Sequence, residues 1–411
     1  MAAEDSLSSP GLDRVAGEKF LQEAFQIMLE EGIRKGMDAS EKVCIWKEPE
    51  ELQRILDLNL KDSGEPHERL LERCRDVIRY SVKTCHPRFC NQLFSGLDPH
   101  ALAGRMITEM LNTSQYTYEI APVFVLMEEV VLKKLQKLCH YSIQKGAAFL
   151  GIGTDNVYLV ATDEKALPFF VNATCGTTVL GAFDPLPEIA EAAWGGSALL
   201  SQRHRHLLDG IERADSVAWN PHKMLMTGLQ CSAFLVQDNS GLLQRCHCAQ
   251  ATYLFQTDKF YDIAYDRGDQ TIQCGRKVDC FKLWLMWKAN GSKGLEQRVD
   301  RAFAYTRYLA DEIKKREGFQ LVIEPEFINL CFWYVPPSLR GQEGCTDYWV
   351  KLEKVAPLIK ERMMKKGSML VGYQPHGKQV NFFRQVVTNP AVTRDDLNFF
   401  LDEIERLGRD L

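Results

Sequence analysis

A chain of 411 residues, 45% hydrophobic and 26% charged, is long enough to bury a large core and too evenly mixed to be disordered or fibrous. A formal net charge of −5 leaves no basic footprint for nucleic acid, and no apolar run of about 18 residues is present to cross a membrane. Thirteen cysteines, behind an N-terminus with early acids and no apolar leader, predict free thiols in a cytoplasmic compartment rather than a disulfide framework.

Residues 1–16 are polar and read as a mobile N-terminus. Beyond them Phe20, Leu21, Ala24, Phe25, Met28, Leu29 and Ile33 recur at intervals of three and four, which predicts an amphipathic helix. Its broad apolar face needs a cover, such as another subunit. "EPEELQRILDLNL" and "HERLLERCRDVIRYSVKT" predict two more helices, and "HPRFCNQLFSGLDPH" a loop punctuated by Pro87, Gly96 and Pro99. Residues 17–110 thus form a helical N-terminal segment suited to dimer formation.

A further helix runs through "VFVLMEEVVLKKLQKL". The texture then changes. "NVYLVATD", "LPFFVNAT", "SVAWN" and "CSAFLVQD" are short β-rich runs between Gly-containing or helical pieces, the pattern of an α/β domain with a largely parallel sheet. That domain is placed at 111–290 and closes on the helical "RKVDCFKLWLMWKANG". Residues 291–411 read as a small α+β domain, with helices around "FINLCFWYV" and "VNFFRQVV".

Lys223 stands out in "SVAWNPHKMLMTGLQCSAFLV", between a strand ending at Trp219 and a second predicted over Leu229–Val236. A lysine held in such a turn beside His222 can be desolvated; its pKa then falls, and the neutral amine attacks carbonyls. For an isolated Pro-His-Lys, a surface turn is the commoner case. The neighbourhood shifts the balance. "NATCGTTVLGAFDP" ends a strand in a Gly-Thr-Thr turn, where open α/β sheets bind ligands. "AAWGGSALL" allows close backbone approach around an aromatic ring. His140 precedes a helical stretch, where its imidazole can stack on a flat ring or cap the helix. The cluster Cys246, His247 and Cys248 is too tightly spaced for zinc and reads as structural or incidental, so no metal site is expected.

With these stretches in view, the chain resembles the pyridoxal-phosphate-dependent group II decarboxylases, in the branch of cysteine sulfinic acid decarboxylase and its acidic amino-acid relatives. The resemblance is carried by "VKTCHPRFCNQLFSGLDPHALAGR", "NTSQYTYEIAPVFVLMEE", "CHYSIQKGAAFLGIGT", "GTTVLGAFDPL", "AWGGSALLS", "ADSVAWNPHKML", "YLFQTDKFYD", "VDCFKLWLMWKANG" and "VNFFRQVV". They run in the family's order over nearly the whole chain after residue 17. A fold-type I architecture, a homodimer and pyridoxal phosphate as cofactor are what the resemblance implies.

It also implies roles. Lys223 would carry the cofactor as a Schiff base, with Asn220 and His222 near the phosphate, His140 stacked on the pyridine ring, and Thr177 or Thr178 on the hydroxyl side. Arg384 matches the arginine that grips an acidic substrate, and Gln92, Leu93 and Phe94 match the substrate loop. Phe94 stands where glutamate decarboxylases carry a small polar residue, so a shorter acid, cysteine sulfinate or aspartate, is expected over glutamate. Tyr261 matches a loop tyrosine that returns a proton to the substrate carbon; a buried structural tyrosine is an equal alternative.

Three family elements are missing. Leu138-Cys139 runs straight into His140 where a phosphate-binding Gly-Gly-Ser-x-Ser-Asn turn belongs. A helix is absent between Asp163-Glu164 and Ala166-Leu167-Pro168. Glu191 stands at the junction where a strand ending in His-Val-Asp-Ala should supply the aspartate for the pyridine nitrogen. Smaller departures are Cys175, Arg267 and Gln270, where serine, threonine and lysine are usual. Whole elements are gone while their flanks are intact, as skipped exons or an incomplete gene model would leave them. The alternative reading is therefore a catalytically impaired chain acting, at most, as a subunit partner.

Overall fold

The computed structural model describes residues 14–59, 62, 64–96, 98–136, 177–182, 194–211, 214, 216–236, 242–247, 258–268, 271 and 275–411. The periodic N-terminal stretch forms helix α1 (Arg14–Ile27), which passes into a π-helical turn at Met28–Arg34. Helix α2 (Pro49–Leu56) opens on a proline, whose missing N–H would have no helical acceptor there. Helix α3 (His67–Tyr80) packs on α1, and its Arg73 ties back to Asp57 at 3.1 Å and to Glu65.

Helix α4 (Pro99–Leu111) is capped by Asp98, whose carboxylate accepts from the N–H groups of His100 and Ala101 at 2.9 and 3.2 Å. Helix α5 (Pro122–Gln136) and α4 both lie against a later, 36-residue helix. Between them in sequence come the short helix α6 (Leu242–His247) and a two-stranded ribbon. The ribbon pairs β2 (Ser216–Trp219) with β3 (Ala233–Val236) in antiparallel register, Ser216 opposite Val236 and Trp219 opposite Ala233. The long helix is α7 (Cys280–Lys315), kinked at Gly291, where φ is 65° and a side chain would be strained.

The main sheet has the order β1-β6-β7-β5-β4, with β1 (Phe89–Cys90), β4 (Phe319–Leu321), β5 (Asn329–Tyr334), β6 (Leu370–His376) and β7 (Gln379–Val386). Helices α8 (Tyr348–Lys366) and α9 (Arg394–Gly408) pack against it. Phe332, Phe382, Phe383, Phe400 and Ile404 fill its core, all fully buried. A second core surrounds Trp219, Leu225, Met286, Leu295 and Phe303, joining the ribbon to α7.

Among the described residues β1 pairs with β6 in parallel and the other pairings are antiparallel, as suits the α+β C-terminal domain. A two-residue turn at Gly377, with φ 60°, joins β6 to β7 and forces that sense. The runs "NVYLVATD" and "LPFFVNAT", expected in a parallel sheet, lie outside the described residues. The second ribbon strand starts at Ala233 rather than Leu229, because His222 takes the backbone of Cys231 for itself. Its N–H donates to the Cys231 carbonyl at 3.3 Å.

Candidate active site

The Lys223 turn is fixed by what surrounds it. Pro221 on one side and Met224 and Leu225 on the other are buried, so the chain is pinned on either side of a half-buried lysine. The Lys223 N–H donates to the Asn220 carbonyl at 3.0 Å, and the Lys223 carbonyl accepts from Met226 at 3.2 Å. Thr227 closes the turn by donating its hydroxyl to the Pro221 carbonyl at 2.9 Å. His222 Nδ1 lies 2.7 Å from the Cys231 carbonyl. Burial, joined by the charges of Lys223 and Lys282, outweighs that hydrogen bond and holds the His222 imidazole below its ordinary pKa. The same nitrogen lies 3.3 Å from the Cys231 N–H, so His222 props the turn through Nδ1 in either tautomer.

The expected substrate loop is tied at both ends. At its far end the Asp98 N–H donates to the Met226 carbonyl at 3.1 Å, and the Asp98 carboxylate pairs with Arg298 from α7. Gly96 has φ 38°, and a Cβ there would lie 3.2 Å from the Met226 methyl. In the middle, the Ser95 and Thr388 hydroxyls are 2.7 Å apart. At the near end the Asn91 carbonyl accepts from Arg384 Nη2 at 3.4 Å. Gln92 (exposed), Leu93 (buried) and Phe94 (half-buried) therefore bridge the stretch between Arg384 and the Lys223 turn.

Arg384 sits on β7 with 8% of its surface exposed. Its Nη1 donates to the Thr178 carbonyl at 2.9 Å, while its Nε has no partner. Among the described residues it has no carboxylate to pair with, and burial pushes its guanidinium below the usual pKa. The Thr177–Ala182 turn that faces it is held by Asn329, whose amide donates to the Thr178 and Val179 carbonyls at 2.9 and 3.0 Å. Trp194 Nε1 in turn donates to Asn329 Oδ1 at 2.8 Å. Of the two threonines, Thr177 uses its hydroxyl to accept from Ala182 at 3.0 Å, and Thr178 is exposed. A buried guanidinium with an unmet donor and only neutral acceptors around it is built for an incoming anion.

Tyr261 belongs to a separate cluster. Its hydroxyl donates to Asp266 at 3.1 Å and accepts from the Glu119 N–H at 3.3 Å; Lys259 pairs with the same aspartate at 2.8 Å. The tyrosine is half-buried, beside a fully exposed Phe260. His140, Cys175, Gln270 and all three junctions with missing elements lie outside the described residues. A cavity of about 350 Å3 opens behind the Lys223 turn; among its charged lining residues Arg276 pairs with Glu128, Lys277 with Glu109 and Lys282 with Asp279, while Arg105 donates to the Leu229 carbonyl.

A family profile described as the pyridoxal-dependent decarboxylase conserved domain matches residues 49–161 and 156–335. The chain belongs to this decarboxylase family. It is a carboxy-lyase by descent, with pyridoxal phosphate as its cofactor and the fold of that family. The chain is 57% identical to human cysteine sulfinic acid decarboxylase, covering 100% of each. It is 53% identical to the acidic amino acid decarboxylase of Xenopus tropicalis, over 98% of this chain and 95% of that one. The crystal structure of mouse CSAD in apo form superposes with a TM-score of 0.91 at 56% identity, covering 97% of this chain and 100% of that one. The human alignment runs over 493 positions, against the 411 residues of this chain.

The described residues fit the cofactor in part. Lys223 offers its amine from a turn locked by buried neighbours, with Asn220 one turn away. Asn91, Asp98, Arg298 and Asn329 were not legible as site residues in the sequence. Each acts through a partner far along the chain, so no local motif marks it.

Proposed function

We propose that this decarboxylase acts on L-cysteine sulfinate, releasing carbon dioxide and leaving hypotaurine, as a cytoplasmic homodimer. The observation that carries the substrate class is Arg384, a buried cation that among the described residues has neither a partner at Nε nor an acid to pair with. Identity of 57% to human cysteine sulfinic acid decarboxylase supports the choice of acid. The exposed apolar side chains of Leu21, Phe25 and Leu29 on the N-terminal helix support a subunit contact there. None of the described helices is long and apolar enough to cross a membrane.

Pyridoxal phosphate, when bound, supplies an electron sink for the bond to the departing carboxylate. Lys223 would hold it through Nζ. Arg384 would grip the sulfinate through Nε, the one guanidinium nitrogen without a partner among the described residues, and so orient the substrate. Phe94 would shorten the pocket and exclude water from it. Tyr261, half-buried and bonded to Asp266, would have to leave that carboxylate to return a proton to the α-carbon. The direct test is hypotaurine formation from L-cysteine sulfinate, measured beside glutamate and aspartate; glutamate turned over as fast as cysteine sulfinate would refute the assignment.

A second reading concerns the chain as it stands, favoured by the span of 493 aligned positions against 411 residues. With the phosphate turn and the pyridine-nitrogen aspartate missing, it would retain the cofactor weakly and turn over little. Glu191 is an acid near the right position, yet the strand that would aim it is gone. Assaying the 411-residue chain beside a version with the three segments restored separates the readings.

A further inference from the structure

Lys360 lies on α8, on a turn whose neighbours Ala356, Ile359 and Met363 are buried. Its Nζ donates to Asn91 Oδ1 and to the Val371 carbonyl, both at 2.8 Å. Among the described residues no carboxylate pairs with it, and burial pushes its amine down to about 8 against a small opposing pull from the Cys44 thiol. A cation kept in such a place is destabilising by itself; a methionine of similar length would pack there without that penalty.

The same asparagine that Lys360 holds by its side chain accepts from Arg384 Nη2 through its carbonyl. Asn91 is thus the link between the half-buried Lys360 and the buried Arg384, and the next three residues are the expected substrate loop. Room for it is made by Gly372 on β6, opposite Arg384 in the sheet. A Cβ at Gly372 would come within 3.1 Å of the Asn91 carbonyl oxygen, tight enough to push the asparagine away.

We infer that Lys360 is a positioning residue for substrate recognition: it fixes Asn91, and through Asn91 sets both the substrate loop and the aim of the Arg384 fork. This rests on the reading of Arg384 as the anion-binding residue. Lys360 does not touch the substrate. Its second bond, to Val371, also joins α8 to β6 beside the short β1–β6 pairing, so a purely architectural role is the competing account.

The test uses the 411-residue chain equilibrated with excess pyridoxal phosphate, as wild type, Lys360→Met, Lys360→Arg and Gly372→Ala. Amide hydrogen exchange and calorimetric titration with L-cysteine sulfinate are both measured. In Lys360→Met, exchange across residues 89–98 should accelerate about tenfold or more, with α8 itself unchanged, and binding should weaken about tenfold. Lys360→Arg should return both toward wild type, and Gly372→Ala should reproduce the loop effect with the lysine intact. Wild-type exchange of the loop in Lys360→Met, or equal acceleration through α8, β6 and β7, would overturn the inference. If Lys360→Met accelerates exchange of the loop alone but the wild type does not bind L-cysteine sulfinate, Lys360 still sets the loop and the reading of Arg384 as the anion-binding residue fails.

Discussion

A guanidinium loses hydration when it is buried, and neutral carbonyls replace only part of it. Arg384 keeps its charge in that state with Thr178 and Asn91 as acceptors and an empty Nε. A lysine there has no planar fork, so Arg384→Lys in the segment-restored enzyme should lower kcat/KM for cysteine sulfinate by about 2–5 kcal/mol. Wild-type kinetics for that variant would remove Arg384 from the site. Phe94 acts on length rather than charge. Glutamate is longer than cysteine sulfinate, and one methylene is worth about 10–200-fold in an apolar pocket, so Phe94→Ser should narrow the preference over glutamate by that order. Competition kinetics with the two acids would measure it.

At the level of elements, charged groups fasten the helices that carry the site. Asp98 caps α4 and pairs with Arg298 on α7; burial alone would raise its pKa, but the hydrogen bond and charge of Arg298 overcome this and hold it low. Breaking a buried pair strands the partner's charge, so Asp98→Asn should destabilise the protein by about 3–5 kcal/mol in urea unfolding. Glu403 on α9 joins Lys366 of α8 at 2.9 Å and Arg406 at 2.7 Å. Burial opposes ionisation there, yet its hydrogen bonds to Arg406 and Lys366 prevail and bring its pKa down to about 2. A depressed carboxyl stabilises the fold fully above its unfolded value of 4.5 and loses that contribution as pH falls toward 2. Lys366 and Arg406 are half exposed, so the contribution is screened to about 1–2 kcal/mol. Glu403→Gln should flatten the stability profile between those two pH values; an unchanged slope would show that other carboxyls set it.

These elements also show what the sequence made visible. Lys223 and Arg384 were legible because each sits inside an unbroken run whose residue types carry the chemistry. The strands "FINLCFWYV" and "VNFFRQVV" were legible from their apolar runs, and both form. Strand β6 was not, since Pro375 argues against a central strand. The conflict resolves in the structure: β1 pairs only with Leu370 and Val371, which leaves the proline on an open edge. Lys360, Asn329 and Arg298 carry no local signature at all. Their meaning comes from Asn91, Thr178 and Asp98, far along the chain, and only folding brings those together.

For the whole molecule, the parts proposed to hold the acid and the cofactor stand beside junctions where the resemblance implies missing elements, and the human relative aligns over 493 positions against 411 residues. A displacement of about 1 Å in a catalytic group can cost about 100-fold in rate, so restoring the three segments should raise hypotaurine formation by at least that factor. Equal turnover in the two versions would mean the missing elements are dispensable. All of this presumes that chemistry runs through one amine. Borohydride reduction of the protein in excess pyridoxal phosphate, followed by peptide mapping, tests that directly: the account predicts the cofactor fixed on Lys223, and a label on another lysine with Lys223 unmodified would contradict it.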